Sequence, residues 1–513
     1  MGDRVHKSLL NARVNVVFYF LSLFLAFFSR KTFLDCLGAE FIGLTGTLES
    51  ILGYLNIAEL GIGSCISYFL YKPLQTGNRS ETCEIVSVIG YLYRWIGLVV
   101  LGGGVGVSLF FPLIFGSTDI GLGIVYFAFF SFLGSSLIGY FINYRQVLLS
   151  ADQKNYLVAI YFQSANLVKL ALQIWLALRT GNVYVWVAVE FVFGVIGCVV
   201  LNWKIDREYP WLTTDKRKGR ELLRKYPGIL TRTRQIFIHK IKDFMLGKSD
   251  ELFIFAFVSL TMVSFYGNYM LIIRKATQLF NTVLESANAG IGNLVAEGDR
   301  KKMLGVFWEL TALRHFVAGM LCFSIYHFLE PFIVLWLGSD YVLDHGILVL
   351  LVVLVYIGNS RGVVDAFNHA HGLYADVWAA WVELIVNVGI TIVCGLHWGI
   401  AGILLGKIVS LMLIVALWKP YYLFHSGFRL SVSQYWSGTL RCYAIFALAF
   451  AGGSAAARSL PIAPGASYLN WVVYCAVSLA VWAVIEVPLM LLFAKGARQL
   501  AGRMWKGKGK SEK

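Results

Sequence analysis

Apolar runs of about 20 residues recur from one end of the chain to the other, separated by short polar breaks. Stretches of that length read as membrane-spanning helices. Fourteen are expected, at 14–34, 41–70, 84–113, 120–143, 156–178, 183–203, 236–258, 264–295, 304–337, 346–367, 376–396, 398–418, 440–457 and 468–494. The second, eighth and ninth exceed what a bilayer needs, so they should tilt or protrude. The expected fold is an all-α polytopic membrane protein.

Composition agrees. Hydrophobic residues make up 58% of the chain and charged residues 14%, against about 25% charged in soluble proteins. The net charge of +15 does not point to nucleic acid, because basic residues in a membrane protein mark its cytoplasmic connections. With the N-terminus (Arg4, Lys7, Arg13) placed inside, cytoplasmic segments hold most of the 44 Lys and Arg, and the opposite connections hold two, Arg179 and Arg458. Both termini are then expected to be cytoplasmic, and every outward connection is short. An outer catalytic domain is excluded and no enzymatic activity is expected. The first segment is too long for a cleavable signal and lacks a small-x-small cleavage pattern. The eight cysteines are scattered without a CxxC pair, which fits packing residues better than disulfides or a metal site.

The chain also repeats itself. FIGLTGTLESILGYLNIAELGIGSCISYFL (41–70) matches FYGNYMLIIRKATQLFNTVLESANAGIGNL (265–294) at an offset of 224, and the following helices align Arg94 of YLYRW with Arg314 of TALRH. The division expected is a six-helix half over 1–206, a basic linker over 207–235, a second six-helix half over 236–425, and two further helices with a basic tail over 426–513. Each half has an even number of spans, so the pseudo-twofold axis lies along the membrane normal, as in transporters with parallel repeats.

LGAEFIGL (37–44), AELGIG (58–63) and LYKPL (70–74) resemble the start of bacterial polysaccharide and O-antigen flippases of the Wzx type, in the multidrug/oligosaccharidyl-lipid/polysaccharide exporter superfamily. The resemblance implies a flippase that moves an undecaprenyl-pyrophosphate-linked oligosaccharide from the inner to the outer leaflet by alternating access. Alternatives within transport are a lipid II flippase or a cation-coupled multidrug exporter. A membrane-embedded glycan polymerase is the opposed class, disfavoured by the short outer connections. The implied partners are the polyprenyl-pyrophosphate-linked glycan and other polysaccharide-assembly proteins, without nucleic acid.

Charges inside the spans are the candidate site. Each costs at least about 2.5–3.5 kcal/mol at a bilayer centre. On the first helix Asn11, Asn15, Ser22 and Ser29 fall within roughly 40° of one another, with Arg30 about 60° from Asn15 and Lys31 about 160°. Arg30 therefore borders a polar face, while Lys31 is placed to snorkel to the interface. A guanidinium suits a pyrophosphate, which it binds bidentately. The other candidate cargo-binding cations are Arg94, Arg314, Lys248, Arg274 and Arg361. Their bland reading is an interfacial anchor or an intrahelical pair: Lys248 has Asp250 and Glu251 nearby, and Arg361 has Asp365 at i+4. Glu59 and Glu285 occupy near-equivalent repeat positions and are candidates either for carrying a coupling proton or Na+, or for fixed counter-charge.

The linker segment TDKRKGRELLRKYPGILTRTRQ (214–235) reads as an interfacial segment drawn to anionic membrane lipid, or simply as a cytoplasmic retention signal. The end, WKGKGKSEK, is expected to be a disordered basic tail. No GxxxxGK[ST] loop is present, so direct ATP drive is not expected, and no cofactor is called for beyond H+ or Na+ coupling.

Overall fold

The computed structural model describes residues 2–59, 62–285, 288–373 and 376–511. Among them every regular element is helical. The chain is an all-α polytopic membrane protein. Its first half of helices runs α1 (Gly2–Leu37), α2 (Ala39–Leu55), α3 (Ile62–Thr76), α4 (Arg79–Ser108), α5 (Leu122–Phe141), α6 (Asn155–Thr180), α7 (Val183–Glu208) and α8 (Gly228–Phe257). Then follow α9 (Leu260–Glu285), α10 (Arg300–Trp336), α11 (His345–Ala370), α12 (Val377–Trp398), α13 (Ile400–Gly427), α14 (Ser433–Ser459), α15 (Tyr468–Phe493) and α16 (Lys495–Ser511).

Local chemistry sets many of the breaks. Glycines adopt positive φ at Gly38 between α1 and α2, and at Gly181 after α6, where a side chain would be strained. Asn78, Asn182, Asp299, Asp344 and Ser467 accept the first free backbone N–H groups of the helices that follow them.

Eleven helices among the described residues are long and apolar enough to cross a membrane. The three other expected spans exist as helices but are less lipid-like. The 41–70 run breaks at a tight turn over Asn56–Glu59, and α8 and α9 carry several charges. Many large apolar side chains face outward, among them Phe24, Val99, Leu113, Val393 and Val484. That pattern suits a surface solvated by acyl chains, where no burial is needed to hide them.

Packing divides the chain into two compact units, Met1–Ser264 and Phe265–Lys513. By this measure α8 belongs with the first unit, whereas the repeat expected from sequence begins its second half at 236. Packing and repetition are separate properties, so the repeat division stays a proposal.

In the first unit α2 lies against α8 and the start of α9, and the connection after α7 folds back onto α4. In the second unit α14 and α15 pack on α10 through Phe323, Phe328, Ala449, Tyr474 and Trp482. A further aromatic cluster gathers Phe307, Phe367, Phe424, Phe428 and Tyr435. The C-terminal segment is not a loose tail over the described residues. α16 continues through Ser511 because two contacts seat it: Gly496 lies against the Trp308 backbone, and Arg503 pairs with the buried Glu309 at 3.0 Å.

Candidate functional site: polar positions within the spans

Inside the first unit a polar seam runs between α1, α2, α8 and the first turn of α9. Its geometry starts with glycine. A Cβ on Gly43 would meet the Leu260 carbonyl oxygen at 1.8 Å, so only glycine permits this approach of α2 to α9. One turn beyond Leu260, the Ser264 carbonyl accepts a bond from Nη2 of Arg30 at 3.0 Å, with the Ser264 hydroxyl at 3.5 Å. Arg30 is half-buried and its neighbour Lys31 is exposed. Further along α2, the Ser50 hydroxyl donates to the Glu251 carboxylate at 2.5 Å, beside the buried Ser249 and Asp250.

Glu59 closes the tight turn after α2. The Tyr93 hydroxyl donates to its Oε1 at 2.9 Å. Among the described residues its bonded partner is the Tyr93 phenol. Tyr140 packs edge-on to Tyr93, with ring centroids 5.6 Å apart.

The second unit buries Arg314 more deeply, at 8% exposure. Its guanidinium lies flat over Gly362, where a Cβ would come within 2.3 Å of Nη1, and it donates to Asn281 at 3.4 Å. Leu284, Ile291, Leu310 and Val363 help to enclose a cavity beside it of about 10 Å³, room for about one water. Arg361 does pair with Asp365, at 3.5 Å. The same carboxylate takes Lys419 at 2.6 Å, so one acid holds two cations.

The two arginines aligned by the repeat sit in different surroundings. Arg314 is buried, while Arg94 is exposed next to the exposed Trp95. Arg94 is also within electrostatic reach of the basic connection after α7. Burial holds the Lys216 ammonium below its usual range, and repulsion from Arg145 and Arg94 adds to that. Lys216 lies over the Tyr144 ring at 4.3 Å and donates to the Phe141 carbonyl at 2.9 Å, and Lys225 pairs with Glu84 at 2.6 Å. The basic linker therefore docks on its own unit. Arg274 is exposed. The side chains of Asn11, Asn15, Lys248 and Glu285 lie outside the described residues.

Sequence reasoning passed over several polar groups. Lys169 pairs with Glu190 at 2.5 Å between α6 and α7, with Gln173 donating to the same carboxylate at 3.0 Å. His315 bonds Tyr356 at 3.0 Å, and His327 bonds Ser454 at 2.8 Å. Glu383 and Glu486 are each 1% exposed. Lys169, His315 and His327 find these partners on other helices, and nothing in the sequence spacing marks such a pair.

No family model matches the sequence, and no curated protein does. Solved structures do. A structure described as the lipid II flippase MurJ in an inward closed conformation superposes with a TM-score of 0.64 at 13% identity, covering 93% of this chain and 98% of its own. An inward-facing multidrug resistance MATE family transporter of the MOP superfamily superposes at 0.58 and 13% identity over 80% of this chain and 95% of its own. An outward-facing MATE family structure gives 0.50 at 12% identity, over 82% and 96%. At these identities the likeness is one of fold.

Proposed function

We propose that the chain is a flippase that moves a polyprenyl-pyrophosphate-linked oligosaccharide, such as an O-antigen, capsule or exopolysaccharide repeat unit, from the inner to the outer leaflet by alternating access. On this reading it is a transporter and not an enzyme, and it sits in the bacterial cytoplasmic membrane with both termini inside. The observation that carries the proposal is Arg30, a guanidinium set half-buried within an apolar span. Its bond to Ser264 orients the planar head. A guanidinium so oriented binds phosphate oxygens through a fixed fork, whereas a cationic drug would be repelled. Arg314, Arg361, Arg94, Arg274 and Lys248 are proposed as further cations on the cargo's path, and Glu59 and Glu285 as coupling or counter-charge groups.

Two observations support neighbouring readings. The longer match is to a lipid II flippase, which favours lipid II as the alternative cargo. The MATE structures favour cation-coupled drug export as the next. The test is reconstitution in liposomes, measuring arrival in the opposite leaflet of a polyprenyl-pyrophosphate oligosaccharide, of lipid II, and of a cationic dye. Translocation of the oligosaccharide in preference to lipid II is expected. Movement of lipid II alone would transfer the assignment to that cargo, and movement of the dye alone would overturn the lipid-linked reading.

A further inference from the structure

A second basic site lies away from the residues above. Where α15 ends and the chain turns into α16, a cavity of about 210 Å³ opens between α10, α14 and the α15–α16 corner. Its lining includes Trp308, Ser437, Arg441 and Lys495. Two glycines create the space for this corner. A Cβ on Gly438 would strike the Trp308 ring at 2.2 Å, and one on Gly496 would meet the Trp308 carbonyl oxygen at 1.9 Å. The side chains of Arg441 and Lys495 have no hydrogen bond or ion pair among the described residues. The buried acid one residue from Trp308, Glu309, is already engaged by Arg503. The cavity thus joins two uncompensated cations that come from positions far apart in the chain.

Its surroundings identify the depth. Phe493 lines it and is exposed, as are Leu440 and Leu492 next to lining residues in the chain, and α16 beyond it is rich in Lys and Arg. An apolar wall passing into a basic helix, with a tryptophan at the junction, is the chemistry of a membrane–water interface. Basic pockets between spans at that level bind anionic lipid head groups.

We propose that this cavity binds one anionic glycerophospholipid, its phosphodiester between Arg441 and Lys495 and an acyl chain along Leu440, Leu492 and Phe493. The site is independent of the cargo assigned above. A bound lipid at this corner would fix α16 against α10 and make the packing of the last two helices sensitive to the charge of the inner leaflet.

The test is titration of the purified full-length protein in neutral detergent with phosphatidylglycerol or phosphatidylcholine of matched chains, counting bound lipid by native mass spectrometry. Wild type should retain phosphatidylglycerol in preference to phosphatidylcholine. Arg441→Gln with Lys495→Gln should weaken that binding about 30-fold, roughly 2 kcal/mol at 1.4 kcal/mol per decade. Arg498→Gln, which removes a cation of α16 outside the cavity lining, should bind as wild type does. Both changed side chains of the double variant are exposed, and an unaltered melting temperature without lipid verifies its fold. Equal binding by wild type and the double variant would overturn the site. An equal loss in Arg498→Gln would assign the effect to general attraction by α16. Displacement of the lipid by an equal concentration of glycerol phosphate would make it a free-anion site instead.

Discussion

Replacing Gly43 by alanine tests how the first unit's polar seam is built. The added Cβ would lie 1.8 Å from the Leu260 carbonyl oxygen, where carbon and oxygen normally stay about 3.3 Å or more apart. The obstacle is backbone, so no rotamer change relieves it, and α2 and the start of α9 must separate by about 1.5 Å. A shift of that size carries Ser50 out of bonding range of Glu251, now at 2.5 Å, and disturbs Ser264 under Arg30. Overpacking costs about 1–3 kcal/mol, and a lost hydrogen bond to a charged group about 1.5–3 kcal/mol more. The sum, roughly 2.5–6 kcal/mol, is a large part of a typical stability of about 5–15 kcal/mol. Gly46 provides the control: a Cβ there meets Val263 at an ordinary 3.6 Å, and alanine gains about 0.5–1 kcal/mol of helix preference over glycine. Melting followed by tryptophan fluorescence in detergent should show a sharp drop for Gly43→Ala and no loss for Gly46→Ala. Equal melting temperatures for the two variants would refute the close-approach argument.

Other outcomes follow from the same geometry. Tyr93→Phe removes a donor from the half-buried Glu59 carboxylate and should cost about 1–3 kcal/mol in thermal stability. The double change with Glu59→Leu should lose less than the two single costs added together, read from a double-mutant cycle. Gly362→Ala places a Cβ 2.3 Å from the Arg314 guanidinium and should destabilise the protein by about 1–3 kcal/mol. Arg314→Leu in the same background should relieve that cost, again read as melting temperature. Asp365→Asn leaves Arg361 and Lys419 facing each other without their shared acid; a loss of stability that high salt partly restores is expected.

The span pattern was legible because lipid imposes a length and a polarity on each helix. The difference in exposure between Arg30 and Lys31 follows from a fixed rotation per residue, which places neighbours on different faces. Other features were not. The break at Asn56–Glu59 lies in a run whose hydrophobicity continues across it, so the sequence reads as one long helix. Alignment of Arg94 with Arg314 says nothing about burial, which is set by what packs alongside: Gly362 clears a seat for Arg314, and Arg94 is exposed. The bond from Tyr93 to Glu59 joins residues on separate elements, and sequence spacing does not reveal it. The pocket at Arg441 and Lys495 joins residues from separate helices, and only the two glycines beside Trp308 make it.

The central claim is that Arg30 engages an anionic, lipid-linked cargo while Lys31 serves only the interface. Translocation of a polyprenyl-pyrophosphate oligosaccharide in liposomes, compared among wild type, Arg30→Ala and Lys31→Ala at equal reconstituted amounts, addresses it most directly. A lost charge-assisted bond of about 1.5–3 kcal/mol corresponds to a rate about 10- to 100-fold lower. The account predicts that loss for Arg30→Ala and wild-type transport for Lys31→Ala. Undiminished transport by Arg30→Ala, or an equal loss in both variants, would contradict it.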